Sequence, residues 1–198
     1  AETKSANVPL TGWTQTLVGS GAVALSSTYQ RVATGVTANS SCKQVMGLSG
    51  FGANMGAWNF GKRLRLSMVI SRLASDAEAD ARFQIKALNA IGALGALGIG
   101  WKVTAGVLYG ESWGTELGEV NCGALTDDTT YTLLIDFIPG SRIDFYLNNA
   151  LVSSQTTSAK LPSGVLGSPI AIHSVNNGVS GGPSVMSQIS QLWVVQDR

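Results

Sequence analysis

The sequence predicts an all-β protein, an antiparallel β-sandwich of jelly-roll type. Three observations carry that prediction. Apolar and polar residues alternate in run after run, the period of two that a half-buried strand imposes. The runs are separated by short turn signals, and the 24 glycines and 5 prolines are scattered rather than gathered into a hinge. Only residues 75–89, with their Ala and Glu, offer a helical alternative, and their neighbours argue against it.

Taken in chain order, alternating runs cover residues 29–36, 63–71, 81–88, 98–109, 130–138, 143–155, 169–175 and 185–195, and 115–122 also reads as strand. Leu64, Leu66, Met68 and Ile70 alternate with Arg63, Arg65, Ser67 and Val69. Tyr131, Leu133, Ile135 and Phe137 lie opposite Thr132, Leu134, Asp136 and Ile138. This second strand is apolar on both faces, which places it centrally in a sheet. Ile143, Phe145 and Leu147 alternate with Arg142, Asp144 and Tyr146, and Asn148-Asn149 comes directly after. Asparagine tolerates the positive φ angles of a type I′ turn, so a tight hairpin returning through Ala150, Leu151 and Val152 is expected.

At 198 residues, one sandwich domain spanning 1–198 is the natural size. The net charge of +1 gives no bulk electrostatic reason to expect nucleic acid. Charged residues make up 13% of the chain, against roughly 25% in an ordinary globular domain. With a mean hydropathy of +0.19, that scarcity suggests surface covered by other subunits, either a homo-oligomer or capsid and fibre proteins. Leu94 and Leu97, in the glycine-rich segment 90–100, are the expected assembly contacts. No apolar run has the length of a membrane span. Cys42 and Cys122 are read as buried free thiols, with a disulfide left open. The start at Ala1 suggests a processed or trimmed terminus, and Asn39-Ser40-Ser41 matches a glycosylation sequon that occurs often by chance.

The C-terminal half resembles the concanavalin A-like lectin/glucanase superfamily. The motifs are Thr-Tyr-Thr-Leu-Leu-Ile-Asp-Phe at 130–137, Arg-Ile-Asp-Phe-Tyr-Leu-Asn-Asn-Ala-Leu-Val at 142–152 and Lys-Leu-Pro-Ser-Gly at 160–164. A late strand at 185–195 fits the closing strand of such sandwiches. Gly98-Ile99-Gly100-Trp101 with Gly106-Val107-Leu108-Tyr109 fits the preceding hairpin. Asn149 departs from the commoner glycine without harming the turn. The resemblance spans about residues 60–196 and implies the fold; that fold hosts lectins, hydrolases, lyases and viral structural modules, so it leaves the function open.

Asp76-Ala77-Glu78-Ala79-Asp80 would put three carboxylates on one face of an extended segment, the kind of set glycosidases use. Its order and its alanine spacers differ from the glucanase pattern, and a solvated turn explains it more simply. A dedicated calcium loop would need a glycine and a spacing that are missing. Gly110-Glu111-Ser112-Trp113-Gly114 fits the Gly-x-Ser-x-Gly expression, yet a nucleophile elbow needs a strand turning into a helix. His173, the single histidine, lies in a Pro-Ile-Ala-Ile-His-Ser strand and reads as a hydrogen-bonded strand residue. One histidine and two distant cysteines make a zinc site unexpected. Lys62, Arg63 and Arg65 read as a solvated strand end. Trp101 and Trp193 are assigned to the core, and Trp58 and Trp113 to exposed positions where an indole can stack on a sugar face.

The expectation from sequence is therefore a non-enzymatic structural or adhesive sandwich, without catalytic residues, metal or cofactor. A virion component, a capsid-decoration or fibre-associated protein, is the leading assignment, with a virion or extracellular location. The alternative is a secreted glycan-binding lectin or carbohydrate-binding module that uses Trp58, Tyr109, Trp113, Asn176 and Asn177. A glycoside hydrolase or polysaccharide lyase around Glu78 comes third.

Overall fold

The computed structural model describes residues 13–18, 22–25, 30–33, 41–46, 58–73, 82–88, 98–166, 170–175 and 186–197. Among them are sixteen strands: β1 (Trp13–Val18), β2 (Ala22–Leu25), β3 (Gln30–Ala33), β4 (Ser41–Met46), β5 (Trp58–Asn59), β6 (Leu64–Leu73), β7 (Arg82–Leu88), β8 (Gly98–Thr104), β9 (Val107–Trp113), β10 (Leu117–Ala124), β11 (Thr129–Ile138), β12 (Arg142–Leu147), β13 (Ala150–Gln155), β14 (Val165–Leu166), β15 (Ile170–Val175) and β16 (Met186–Gln196). They form two seven-stranded antiparallel sheets. The first runs β1-β4-β15-β7-β8-β9-β10, the second β13-β12-β11-β6-β16-β3-β2, and a two-stranded ribbon pairs β14 with β5.

The core lies between the sheets because alternation sends one side chain in two inward. Leu64, Leu66, Met68 and Ile70 from β6 are fully buried, as are Leu133, Ile135 and Phe137 from β11 and Ile143 and Phe145 from β12. The first sheet answers with Ile99, Trp101 and Val103 from β8 and Leu108 from β9. Burying each large side chain of this kind stabilises the fold by roughly 1.5–3 kcal/mol. β11 sits inside its sheet between β12 and β6, where its two apolar faces placed it. The layers lock where Trp101 meets Phe145 edge to face, ring centroids 5.1 Å apart. Gly110 makes room for this contact, since a Cβ there would stand 2.6 Å from the Phe145 ring.

The Asn148-Asn149 hairpin forms as the sequence predicts. Both asparagines have positive φ, 50° and 66°, and Leu147 pairs with Ala150 across the turn. Of the segment argued as a possible helix, residues 82–88 are strand β7, paired on both sides with β8 and β15. In β16, Trp193 pairs with Ser67 and Val194 with the core residue Leu66. A bulge interrupts the β16–β6 register between Ile189 and Gln191.

The cysteines occupy distant strands of the first sheet, Cys42 in β4 and Cys122 in β10. Five strand spacings separate them, about 24 Å, far beyond the Cα distance of about 7 Å that a disulfide allows. Burial pushes the Cys122 thiol up to about 11.

Candidate functional site on the outer face of the first sheet

The face of the first sheet turned away from the core is defined by β8 and β9. Ile99, Trp101 and Val103 point into the sandwich, so Gly98, Gly100, Lys102 and Thr104 belong to the opposite face. On β9, Leu108 and Gly110 face the core, while Val107, Tyr109, Glu111 and Trp113 face outward. Register carries this assignment to the remaining strands. In β7, Phe83 pairs with Val103 and Ile85 with Trp101, while Arg82, Gln84 and Lys86 pair with Thr104, Lys102 and Gly100.

One row of partners then crosses the whole sheet. Thr16 pairs with Lys43, Lys43 with His173, His173 with Gln84, Gln84 with Lys102, Lys102 with Tyr109, and Tyr109 with Asn121. Six strand spacings give this row a length of roughly 29 Å. Every position in it is polar or can form hydrogen bonds. Arg82 stands in the row on one side of it and Lys86 in the row on the other.

The β8–β10 end of the row can be described atom by atom. The Lys102 ammonium pairs with the Glu119 carboxylate from β10 and lies 5.0 Å from the centroid of the Tyr109 ring. The ring quadrupole and the carboxylate together fix this cation. Glu119 itself remains 34% exposed, whereas the Lys102 side chain it holds is 11% exposed. Glu111, next to Glu119 in register, is only 5% exposed. Trp113 is half-buried, four residues beyond Tyr109 on the same face, and pairs with Gly98 and the exposed Leu117.

Of the residues singled out in the sequence, the fold brings Tyr109 and Trp113 onto one face. Trp58 belongs to β5 in the separate ribbon, opposite Leu166. Asn176, Asn177, Leu94, Leu97 and the 76–80 carboxylates, Glu78 included, lie outside the described residues. Ser112 of the Gly-x-Ser-x-Gly match is no elbow nucleophile. It lies within strand β9 on the core side, 3% exposed, and the chain beyond Trp113 turns into strand β10. His173, set aside as an ordinary strand residue, stands in the middle of the polar row with Gln84 and Lys43 on either side. Lys43, Gln84 and Lys102 were not singled out at all. Their alternation on β4, β7 and β8 was a signal, but only register shows that they are neighbours.

No protein-family model and no curated protein matches the chain. Solved structures do. A sialidase matches with TM-score 0.64 at 14% identity, over 93% of this chain and 17% of the sialidase. A family 7 alginate lyase solved in complex with product matches with TM-score 0.63 at 11% identity, over 98% of this chain and 100% of the lyase. A structure from a study of botulinum neurotoxin type C and its interaction with two ganglioside molecules matches with TM-score 0.60 at 8% identity, over 92% of this chain and 42% of the other. This chain therefore spans under a fifth of the sialidase's length and all of the lyase's. The fold is a concanavalin A-like jelly-roll β-sandwich.

These findings correct two expectations. The non-enzymatic reading and its virion assignment are overturned, because the matched structures include family 7 alginate lyases and a neurotoxin that interacts with gangliosides. The physical reason lies in the charge distribution. Scarce charge suggests covered surface, yet two of the few charges, Lys102 and Glu119, pair with each other on the outer face of the first sheet.

Proposed function

We propose that the chain is a carbohydrate-active sandwich that holds an anionic polysaccharide across the outer face of its first sheet and cleaves it by β-elimination. The observation that carries this reading is the cross-strand row Lys43–His173–Gln84–Lys102–Tyr109. Elimination from a uronate sugar needs three services. A base takes the proton from the carbon next to the carboxylate, a donor or cation stabilises the charge that develops on that carboxylate, and an acid protonates the departing glycosidic oxygen. The electron pair of the broken C–H bond becomes the new C=C bond as the C–O bond breaks. Histidine is the commonest protein base at neutral pH, and tyrosine carries a phenolic proton. His173 takes the role of base and its register neighbours Gln84 and Lys43 that of carboxylate partners, while the departing oxygen takes its proton from water, because Tyr109 stands three strand spacings, roughly 14 Å, from His173. The fold shared with an alginate lyase supports this reading, and an extracellular setting, where such polymers are met, goes with it.

The test is incubation with a panel of polyuronates, tracking the ultraviolet absorbance of the unsaturated product. Wild-type protein is expected to release it. His173→Gln should reduce the rate by about a hundredfold or more, the scale of a lost acid–base group, and Tyr109→Phe by much less. Binding without any unsaturated product would overturn the catalytic assignment and leave a glycan-binding module. Absence of both binding and product would overturn the whole reading.

A further inference from the structure

Register sets two rows of residues on the outer face of the second sheet. Val195, Arg65, Asp136 and Asp144 follow one another across β16, β6, β11 and β12. Leu134, Tyr146 and Leu151 follow one another across β11, β12 and β13. On the middle strands their sequence neighbours Leu66, Ile135 and Phe145 are fully buried, so both rows face away from the core. Leu151 is 57% exposed and Val195 50%.

These rows have the composition of a protein interface. Interfaces favour arginine, aromatic and apolar side chains and are poor in lysine and glutamate. Lys102, Glu111 and Glu119 belong to the first sheet, and neither row of the second contains a lysine or a glutamate. The two aspartates lie low, their side chains 12% and 7% exposed, beneath arginines that are 39% to 48% exposed. Arg63 holds Asp136 and Arg142 holds Asp144. A partner covering this face would therefore bury charges that are already paired, which avoids the large cost of an isolated one.

The face is also large enough. β11, β6 and β16 are 10, 10 and 11 residues long, and β12 and β13 are 6 each. At about 3.3 Å per residue and about 4.8 Å between strands, the seven strands present roughly 800 Å², the area each partner gives to a stable interface.

We propose that this face packs against the same face of a second copy of the chain, in a two-fold dimer that leaves the first sheet open to polymer. A contact of a patch with itself must be self-complementary, and a patch whose charges are neutralised within each protomer meets that condition. The scarcity of charge in the whole chain, 13%, agrees with a covered face. The inference goes beyond the proposed function and does not depend on it.

Sedimentation velocity over a concentration series tests it. Wild-type protein is expected to be a dimer. Leu151→Asp and Val195→Lys each put a charge into the contact and should raise the dimer dissociation constant by about a hundredfold or more. Both positions are half exposed or more in the protomer, so near-ultraviolet circular dichroism should show an intact fold. Leu117→Asp, 41% exposed on the first sheet, should leave the dimer unchanged. A monomer at high concentration would overturn the inference, even one whose second sheet binds a different protein. So would a dimer that survives both second-sheet changes, or one that only Leu117→Asp breaks.

Discussion

Asp136 shows how a single residue carries charge within a strand that is otherwise apolar. It is 9% exposed and lies directly opposite Asp144 in the β11–β12 register, so two carboxylates face each other on the outer side of the second sheet. Each has its own cation. Arg63 donates through Nε at 2.7 Å to one Asp136 oxygen and through Nη2 to the other, and Arg65 Nε lies 3.5 Å away. Asp144 accepts from Arg142 Nε at 2.8 Å and from Ser154 Oγ at 2.7 Å. The hydrogen bond from Arg63 is the main cause that lowers the Asp136 pKa; burial opposes it, and the charges of Arg63 and Arg65 add to it. A carboxyl whose folded pKa lies below its unfolded value, about 3.9, contributes stability that is complete above that value. The contribution is lost as pH falls through the folded pKa. Asp136→Asn should therefore lower Tm at neutral pH, and the difference from wild type should shrink as pH drops below about 3.9. Thermal melts at several pH values check this, and a gap that persists undiminished in acid would refute it. In the sequence, Arg63 looked like a solvated strand end. Its partner is 73 positions away, a pairing that no local pattern reveals.

At the scale of elements, the β12–β13 hairpin was legible because every signal for it is local. Alternation names the strands, and two asparagines name the turn. The structure adds a second role for Asn148. Its side-chain oxygen accepts from the Thr132 amide at 3.0 Å, and its own amide donates to the Thr132 carbonyl at 2.8 Å, which ties the turn to β11. Asn148→Ala should thus lose both the tolerance for φ of 50° and a hydrogen bond, a cost of about 1–3 kcal/mol. Urea unfolding measures it, and a change within a few tenths of a kcal/mol would show that neither matters. Asn149→Gly should be neutral or slightly stabilising in the same assay, since glycine accepts that conformation freely. Strand β16 was less legible for an equally physical reason. Ile189 pairs with the buried Ile70, and strict alternation from there would turn Trp193 inward. The bulge before Gln191 instead puts Leu192 and Val194 opposite Met68 and Leu66, and Trp193 opposite Ser67. A bulge inserts one residue without a mark in the hydrophobic pattern.

Across the whole molecule, the fold class was legible and the site was not. Alternation repeated over many strands is enough to define a sandwich, but the candidate site is spread over six strands, from Lys43 on β4 through His173 on β15 to Glu119 on β10. Neighbours in the row, such as Gln84 and His173, are distant in sequence and share only a register. That arrangement makes ionic strength a direct probe of the proposed face. Register places Lys43, Arg82 and Lys86 in the row of His173 or in the rows beside it, and between surface charges screening acts within about 10 Å at 0.1 M salt and about 3 Å at 1 M. Affinity for a polyuronate should fall by about tenfold or more between those conditions, while a neutral oligosaccharide stacked near Trp113 should hardly respond. Arg82→Ala with Lys86→Ala should reduce polyuronate affinity at low salt and flatten its salt dependence, with the melting curve close to that of wild type. Titration calorimetry over a salt series reads all three outcomes. If polyuronate affinity ignores salt, or the double variant keeps the wild-type slope, the rows through His173, Arg82 and Lys86 are not where the polymer lies.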